Sequence, residues 1–190
     1  MARSGIYITS GFCSLALLFS VGCGGGASVF PLREGDVSQF SIRSDFGRGI
    51  GEMRVTGRTA VGGVSGFEIS SPFGNSAVAW RGDTLVASQL NDTFFDPPIP
   101  IAFQPGGNTK SEWEGIAITA GNIRQLKATT EQEGGRFELL GQRMSAQVSL
   151  VRLEDGNKVT ELTTWMVPGR GIMRQEQRTN DKLDRVIERL

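Results

Sequence analysis

The chain contains no histidine, and its two cysteines, Cys13 and Cys23, both lie near the N-terminus. Without histidine there is no general base that titrates near neutrality, no Ser-His-Asp or Cys-His arrangement, and no histidine-containing zinc site. Past residue 23 no thiol can act as a nucleophile or close a disulfide. The remaining spellings are weak. Gly106-Gly107-Asn108-Thr109-Lys110-Ser111 has a lysine after glycines, but Thr109 stands where a phosphate loop needs glycine, and no strand-to-helix context surrounds it. Gly47, Gly49 and Gly51 lead into a strand pattern rather than a helix, so they form no dinucleotide cradle. Ser65 lies beside glycines without the Gly-x-Ser-x-Gly elbow. Glu131 and Glu133 are candidate paired carboxylates for glycoside chemistry, yet beside Gly134-Gly135 they read as a solvated turn. Arg81-Gly82-Asp83 spells an adhesion tripeptide and reads as a turn, and Asn91-Asp92-Thr93 is a glycosylation sequon by spelling only. The expectation is a non-enzymatic protein with no cofactor and no bound metal.

The N-terminal segment carries the clearest chemical assignment. Arg3 supplies a short positive region, and Ile6 to Val21 is a largely apolar run. A helix that crosses the bilayer core needs about 20 such residues, so a shorter run holding Ser, Thr and Gly fits a signal peptide better. Ser20-Val21-Gly22-Cys23 resembles the lipobox of bacterial lipoprotein signals, with Ser20 where leucine is usual. That resemblance implies that Cys23 is the residue alkylated by diacylglycerol, with the small Gly22 admitting the peptidase. The other reading is an ordinary secretory signal cut at Ala27. Gly24-Gly25-Gly26 supports lipidation as a flexible tether between lipid and domain. Gly24, rather than Asp, after the cysteine points to the outer membrane, with the protein facing the periplasm.

The elements that would position any site read as β. Hydrophobic residues make up 38% and charged ones 21%, which excludes both a disordered tail and a helical membrane bundle. Lys+Arg and Asp+Glu are equal at 20 each, so no global field gathers nucleic acid. Period-2 runs recur over Val37–Arg43, Gly49–Arg58, Gly66–Ser70, Ser76–Arg81 and Thr84–Leu90, with turn residues every eight to twelve positions. A second half resumes at Ser111–Ile118 and Ile123–Gln132, turns at Gly134-Gly135, and ends in a hairpin around Asp155-Gly156-Asn157. Between the halves, Pro97, Pro98 and Pro100 argue against a central strand, because each lacks a donor. The stretch is therefore expected to be an extended crossover laid against the core. Leu183, Val186, Ile187 and Leu190 fit helical spacing, but a strand over Arg185–Leu190 is preferred, since helix caps are poor and a sheet edge is at hand. Trp80, Trp113 and Trp165 could line an apolar cavity, or simply fill the core.

Several phrases together resemble a group of uncharacterised bacterial lipoproteins: the lipobox cysteine, Phe30-Pro31-Leu32-Arg33-Glu34-Gly35, Pro97-Pro98-Ile99-Pro100, and Trp165-Met166-Val167-Pro168-Gly169-Arg170-Gly171. The resemblance implies an architecture similar to the LolA/LolB-like half-barrel, a curved antiparallel sheet that can hold acyl chains in its concave face. No catalytic residues come with it.

The sequence thus divides into a signal peptide at 1–22, a lipidated Cys23 with its tether at 23–29, and one domain at 30–190. The fold class is all-β: a curved antiparallel sheet, half-barrel or incomplete barrel, with little helix beyond the signal peptide. The expected function is that of an envelope lipoprotein binding an apolar, lipid-like ligand through Trp80, Trp113 and Trp165, or binding a partner protein. The alternative is a structural or assembly subunit of an envelope complex. The expected partners are the membrane, through the lipid, and a lipid or envelope protein, with no nucleic acid.

Overall fold

The computed structural model describes residues 28–139 and 141–190. Cys13 and Cys23 lie outside them. Twelve strands follow one another: β1 Val37–Ser44, β2 Gly47–Val61, β3 Val64–Ser71, β4 Gly74–Arg81, β5 Thr84–Leu90, β6 Thr93–Phe103, β7 Lys110–Thr119, β8 Asn122–Leu139, β9 Gln142–Asp155, β10 Lys158–Val167, β11 Gly171–Thr179 and β12 Lys182–Arg189. Each pairs antiparallel with its sequence neighbours, and β1 pairs with β12 to close a barrel. The curved all-β antiparallel sheet expected from the sequence is what forms, and it curls to completion. The described residues contain no helix, and the C-terminal segment is the strand β12.

The connections explain the up-and-down order. Asn91-Asp92, Gly62-Gly63, Ala120-Gly121 and Asn180-Asp181 each place two successive residues at positive φ. That is the backbone of a two-residue hairpin turn whose twist matches its flanking strands. Register shifts in the β2–β3, β4–β5, β5–β6, β10–β11 and β11–β12 pairings add the bending that closure needs. Strand alternation then separates two faces. Inward, Val55, Ile69, Val78, Leu85, Ile99, Trp113, Leu126, Val151 and Met166 form the main core. Outward, the walls carry Lys110, Glu112 and Glu114 on β7, Lys127 and Glu131 on β8, and Arg152 and Glu154 on β9. This is the inverse of a membrane-spanning barrel, whose outward band is apolar.

Gly134-Gly135 does not turn the chain. Both glycines lie within β8, which continues to Leu139 before the reversal into β9. The reason is close packing: a Cβ on Gly135 would lie 2.8 Å from Val148 Cγ2.

The proline-rich stretch departs from expectation more instructively. It is part of β6, but β6 pairs with β7 only over Thr93–Asp96. From Pro97 onward it leaves β7, stays paired to β5, and crosses the barrel against the inner faces of β8 and β9. Side chains replace the missing ladder. Trp113 Nε1 donates to Pro97 O at 2.9 Å, Thr130 Oγ1 to Pro100 O at 2.6 Å, and Ser149 Oγ to Ile101 O at 2.6 Å. Gln132 grips Phe103 at both ends: the Phe103 N–H donates to Gln132 Oε1 at 2.8 Å, and Gln132 Nε2 donates to Phe103 O at 2.7 Å. Thr130, Gln132 and Ser149 are three of the four buried polar side chains among the described residues.

Residues 28–32 plug one end. Val29 is fully buried and Phe30 nearly so, so packing begins just ahead of the expected domain start. Ser28 O accepts from the Gly169 N–H at 2.9 Å, and Phe30 O accepts from Trp80 Nε1 at 3.3 Å. This proximal end carries the turns at Gly62-Gly63, Gly82-Asp83 and Pro168–Arg170. The distal end carries those at Asp45-Phe46, Pro72-Phe73, Asn91-Asp92, Ala120-Gly121, Gly156-Asn157 and Asn180-Asp181.

Replacing Gln132 by leucine strands a buried N–H and a buried C=O, each costing on the order of 1–3 kcal/mol. The expected result for Gln132→Leu in urea unfolding is a loss of about 3 kcal/mol. Gln125→Leu, which removes only an exposed bond to Glu114, is expected to stay within about 0.5 kcal/mol of the parent.

Candidate functional site

The barrel interior is nearly full. At its centre a void of about 80 Å³ remains between Met53, Ile69, Val78, Leu85, Met166 and Ile172, with Ser71, Ser76, Thr164 and Gln175 at its edge. Thr164 Oγ1 accepts from Gln175 Nε2 at 3.0 Å, Ser71 Oγ donates to Gly74 O, and Ser76 Oγ accepts from the Asn91 N–H. Larger spaces open at the two ends.

The proximal cavity measures about 530 Å³. One side is the plug, Phe30-Pro31-Leu32. The other is the inner face of β1 and β2, bearing Phe40, Met53 and Val55, with Ile69 of β3. Leu139, Ile172, Met173 and Leu190 complete the apolar lining. The sequence places them there by simple alternation: Ser38 and Phe40 pair across to Met53 and Gly51, all on the inward side. Asp36, Ser38, Arg170 and Arg189 form the rim, and the Arg189 guanidinium donates to the Arg170 carbonyl. Gly171, at φ +79°, passes under the Phe30 ring, where an added Cβ would lie 3.2 Å from Phe30 Cδ2.

The distal cavity measures about 290 Å³. Its floor takes one apolar side chain from each of six consecutive strands: Leu90, Phe95, Ala117, Leu126, Leu153 and Leu162. Thr93, Thr119, Arg124, Asp155, Lys158, Thr160, Gln177 and Arg185 stand around the opening. Thr93 and Thr119 hydroxyls share a bond of 2.9 Å, and Arg124 Nη1 donates to Asp155 Oδ2 at 2.6 Å.

The three tryptophans are not brought together. Trp80 is half-buried beside the plug and donates to Phe30 O. Trp113 bonds Pro97 O and meets Phe95 edge-on, ring centres 5.9 Å apart. Trp165 packs in a small cluster with Phe137, Val167 and Met173, and the Arg174 guanidinium lies 5.6 Å from its ring centre. None of them lines the central void or either end cavity. The residues that do, such as Phe40, Met53, Leu139, Met173 and Arg185, were not singled out by sequence reasoning. The available signal was inward parity near a strand end, which marks many positions equally.

The fold and these end cavities define a class: a closed antiparallel barrel with an apolar inside, a charged outside and a plugged end. No protein-family model matches the chain, and neither does any curated protein. Among solved structures it is similar to a lipoprotein candidate from Parabacteroides distasonis ATCC 8503, with 12% identity, a TM-score of 0.54, and coverage of 87% of this chain and 98% of that one. It is also similar to an exported-protein candidate with a YmcC-like fold from Bacteroides fragilis NCTC 9343, at 14% identity, a TM-score of 0.46, and coverage of 86% and 97%. For the hypothetical lipoprotein YmcC from Escherichia coli the figures are 11%, 0.42, 80% and 83%. At these identities the first likeness is one of fold.

The plug is testable apart from any ligand. Phe30→Ala is expected to cost about 3 kcal/mol in urea unfolding. It should also raise binding of the dye ANS to the folded protein, by joining the proximal cavity to the central void. An unchanged midpoint and unchanged fluorescence would show that Phe30 does not separate the two.

Proposed function

We propose that this is a lipid-anchored protein of the bacterial cell envelope, non-enzymatic, that takes an acyl-type chain into its proximal cavity. The observation that carries the reading is that cavity: about 530 Å³, with Phe40, Met53, Val55, Ile69 and Met173 behind a polar rim of Asp36, Ser38, Arg170 and Arg189, and open at the end where the chain enters the barrel. Only four residues separate Cys23 from Ser28, and five extended steps reach at most about 18 Å. A lipid on Cys23 therefore holds the proximal end close to the headgroups, with the cavity facing the source of acyl chains. Several acyl chains on one cysteine anchor stably, since each buried methylene contributes about 0.8 kcal/mol. Gly24 favours the outer membrane, with the barrel in the periplasm. The absence of histidine, and of cysteine after Cys23, supports a binding role over catalysis.

One observation favours a second reading, a subunit of an envelope assembly. Because β6 turns inward at Pro97, the backbone of Lys110–Gly115 in β7 has a ladder partner on its β8 side only. Beside it on the outer wall, Phe94, Ile116 and Ile123 are exposed. An extended segment of another protein could add to that edge.

Two measurements test the leading reading. Labelled palmitate should enter the wild-type chain in bacteria and not the Cys23→Ala variant. The Cys23→Ser chain, exported and purified without detergent, should carry lipid that native mass spectrometry detects and denaturation releases. Leu32→Arg, which puts a charge in the cavity, should cut that occupancy by about tenfold or more. A clean apo mass across preparations, with crosslinks to an envelope protein through β7, would replace the acyl-chain reading by the assembly one.

A further inference from the structure

The distal cavity lies at the opposite end of the barrel from the one just discussed, and its electrostatics differ. Its lining holds three cations, Arg124, Lys158 and Arg185, and one anion, Asp155. Arg124 and Asp155 are bonded to each other, which leaves Lys158 and Arg185 in excess.

Arg185 is the unusual member. It sits on β12 opposite Gln177 of β11, and its Nη2 donates to Gln177 Oε1 at 2.8 Å. Its guanidinium stacks on the Phe73 ring, 3.7 Å from the ring centre. Phe73 is delivered there by the turn between β3 and β4, held by the bonds from the Phe73 N–H to Ser71 Oγ and from Ser71 Oγ to Gly74 O. No carboxylate lies within 4 Å of Arg185 among the described residues, although ten such ion pairs form elsewhere on the surface. The adjacent Asp184 is engaged by the Thr179 hydroxyl at 2.6 Å. Burial pushes Arg185 below its ordinary value, and the Asp184 charge opposes this only in part. A guanidinium withdrawn from water without an anion is poorly compensated, and a carboxylate is the group that compensates it best, by a charge-assisted and often bidentate pair. Directly inside the rim, Phe95, Leu126, Leu153 and Leu162 offer only apolar surface.

We propose that the distal mouth is a second binding site, for a small amphiphilic carboxylate whose short apolar body lies on the leucine floor and whose carboxylate pairs with Arg185. Phe73 acts as the platform that fixes the guanidinium, and Lys158 adds a second positive charge at the rim. The site is independent of the proximal cavity, and opens away from the anchored end. It therefore draws on solutes of the compartment rather than on the bilayer.

The test uses the full exported Cys23→Ser chain, free of detergent, with sodium octanoate and 1-octanol as probes of equal chain length and different head. Calorimetry should show octanoate binding about tenfold more tightly than octanol, the factor a charged hydrogen-bonded pair supplies. Arg185→Gln should erase that preference while leaving the thermal midpoint in place, and Arg185→Lys should keep part of it. In the unsubstituted site, octanoate should shift the methyl resonances of Leu126, Leu153 and Leu162 and leave those of Leu32, Leu139 and Leu190 unmoved. Equal affinity for the two probes, shifts confined to the proximal leucines, or no binding of octanoate up to about 5 mM would each overturn the proposal.

Discussion

A strand that enters the inside of a barrel must find partners for its backbone there, and the rest of this structure follows from how β6 does so. Pro97, Pro98 and Pro100 have no N–H to leave orphaned. The carbonyls of Pro97, Pro100 and Ile101, and both polar groups of Phe103, are met by Trp113, Thr130, Ser149 and Gln132. A buried carbonyl without such a partner would cost on the order of 1–3 kcal/mol, so the prolines and the inward polar residues of β8 and β9 form one device. The device has two effects. It fills the barrel centre down to a void of about 80 Å³. It also keeps the proximal and distal cavities apart, one at each end.

Much of the fold was legible in the sequence, for a clear reason. Where a strand has one wet and one dry face, alternation writes both the strand and its orientation into the residues, and Ser111–Ile118 is the plainest case. The turns at Gly82-Asp83 and Gly156-Asn157 were legible because positive φ selects glycine. Legibility failed where long-range packing overrode a local signal. Gly134-Gly135 is a strong turn signal, yet Val148 on the neighbouring strand needs that space. Three prolines in four positions argue against a sheet interior, and Trp113, Thr130, Gln132 and Ser149, up to 48 residues from the groups they bond, make it tolerable.

The sites were less legible than the fold. Tryptophans draw attention because they bury the most area, but here they brace the plug, the crossing strand and the outer wall. Arg185 drew none, since an arginine in an alternating strand usually points to water. Its place is decided by Gln177 across the ladder and by Phe73 on a turn more than a hundred residues earlier. Neither relation has a local signature. What the sequence did mark for chemistry, Cys23, lies outside the described residues.

The pairing of β1 with β12 also has a temporal side. Every other strand meets a neighbour delivered within one short turn, so eleven strands can zip as the chain emerges. The seam cannot: Phe40 faces Arg189 and Ser44 faces Arg185, so the first strand waits, one edge bare, until the last strand has been made. A chain shortened by a dozen C-terminal residues would keep its earlier hairpins and lose its circumference. It would present the open edge that closed barrels exist to avoid.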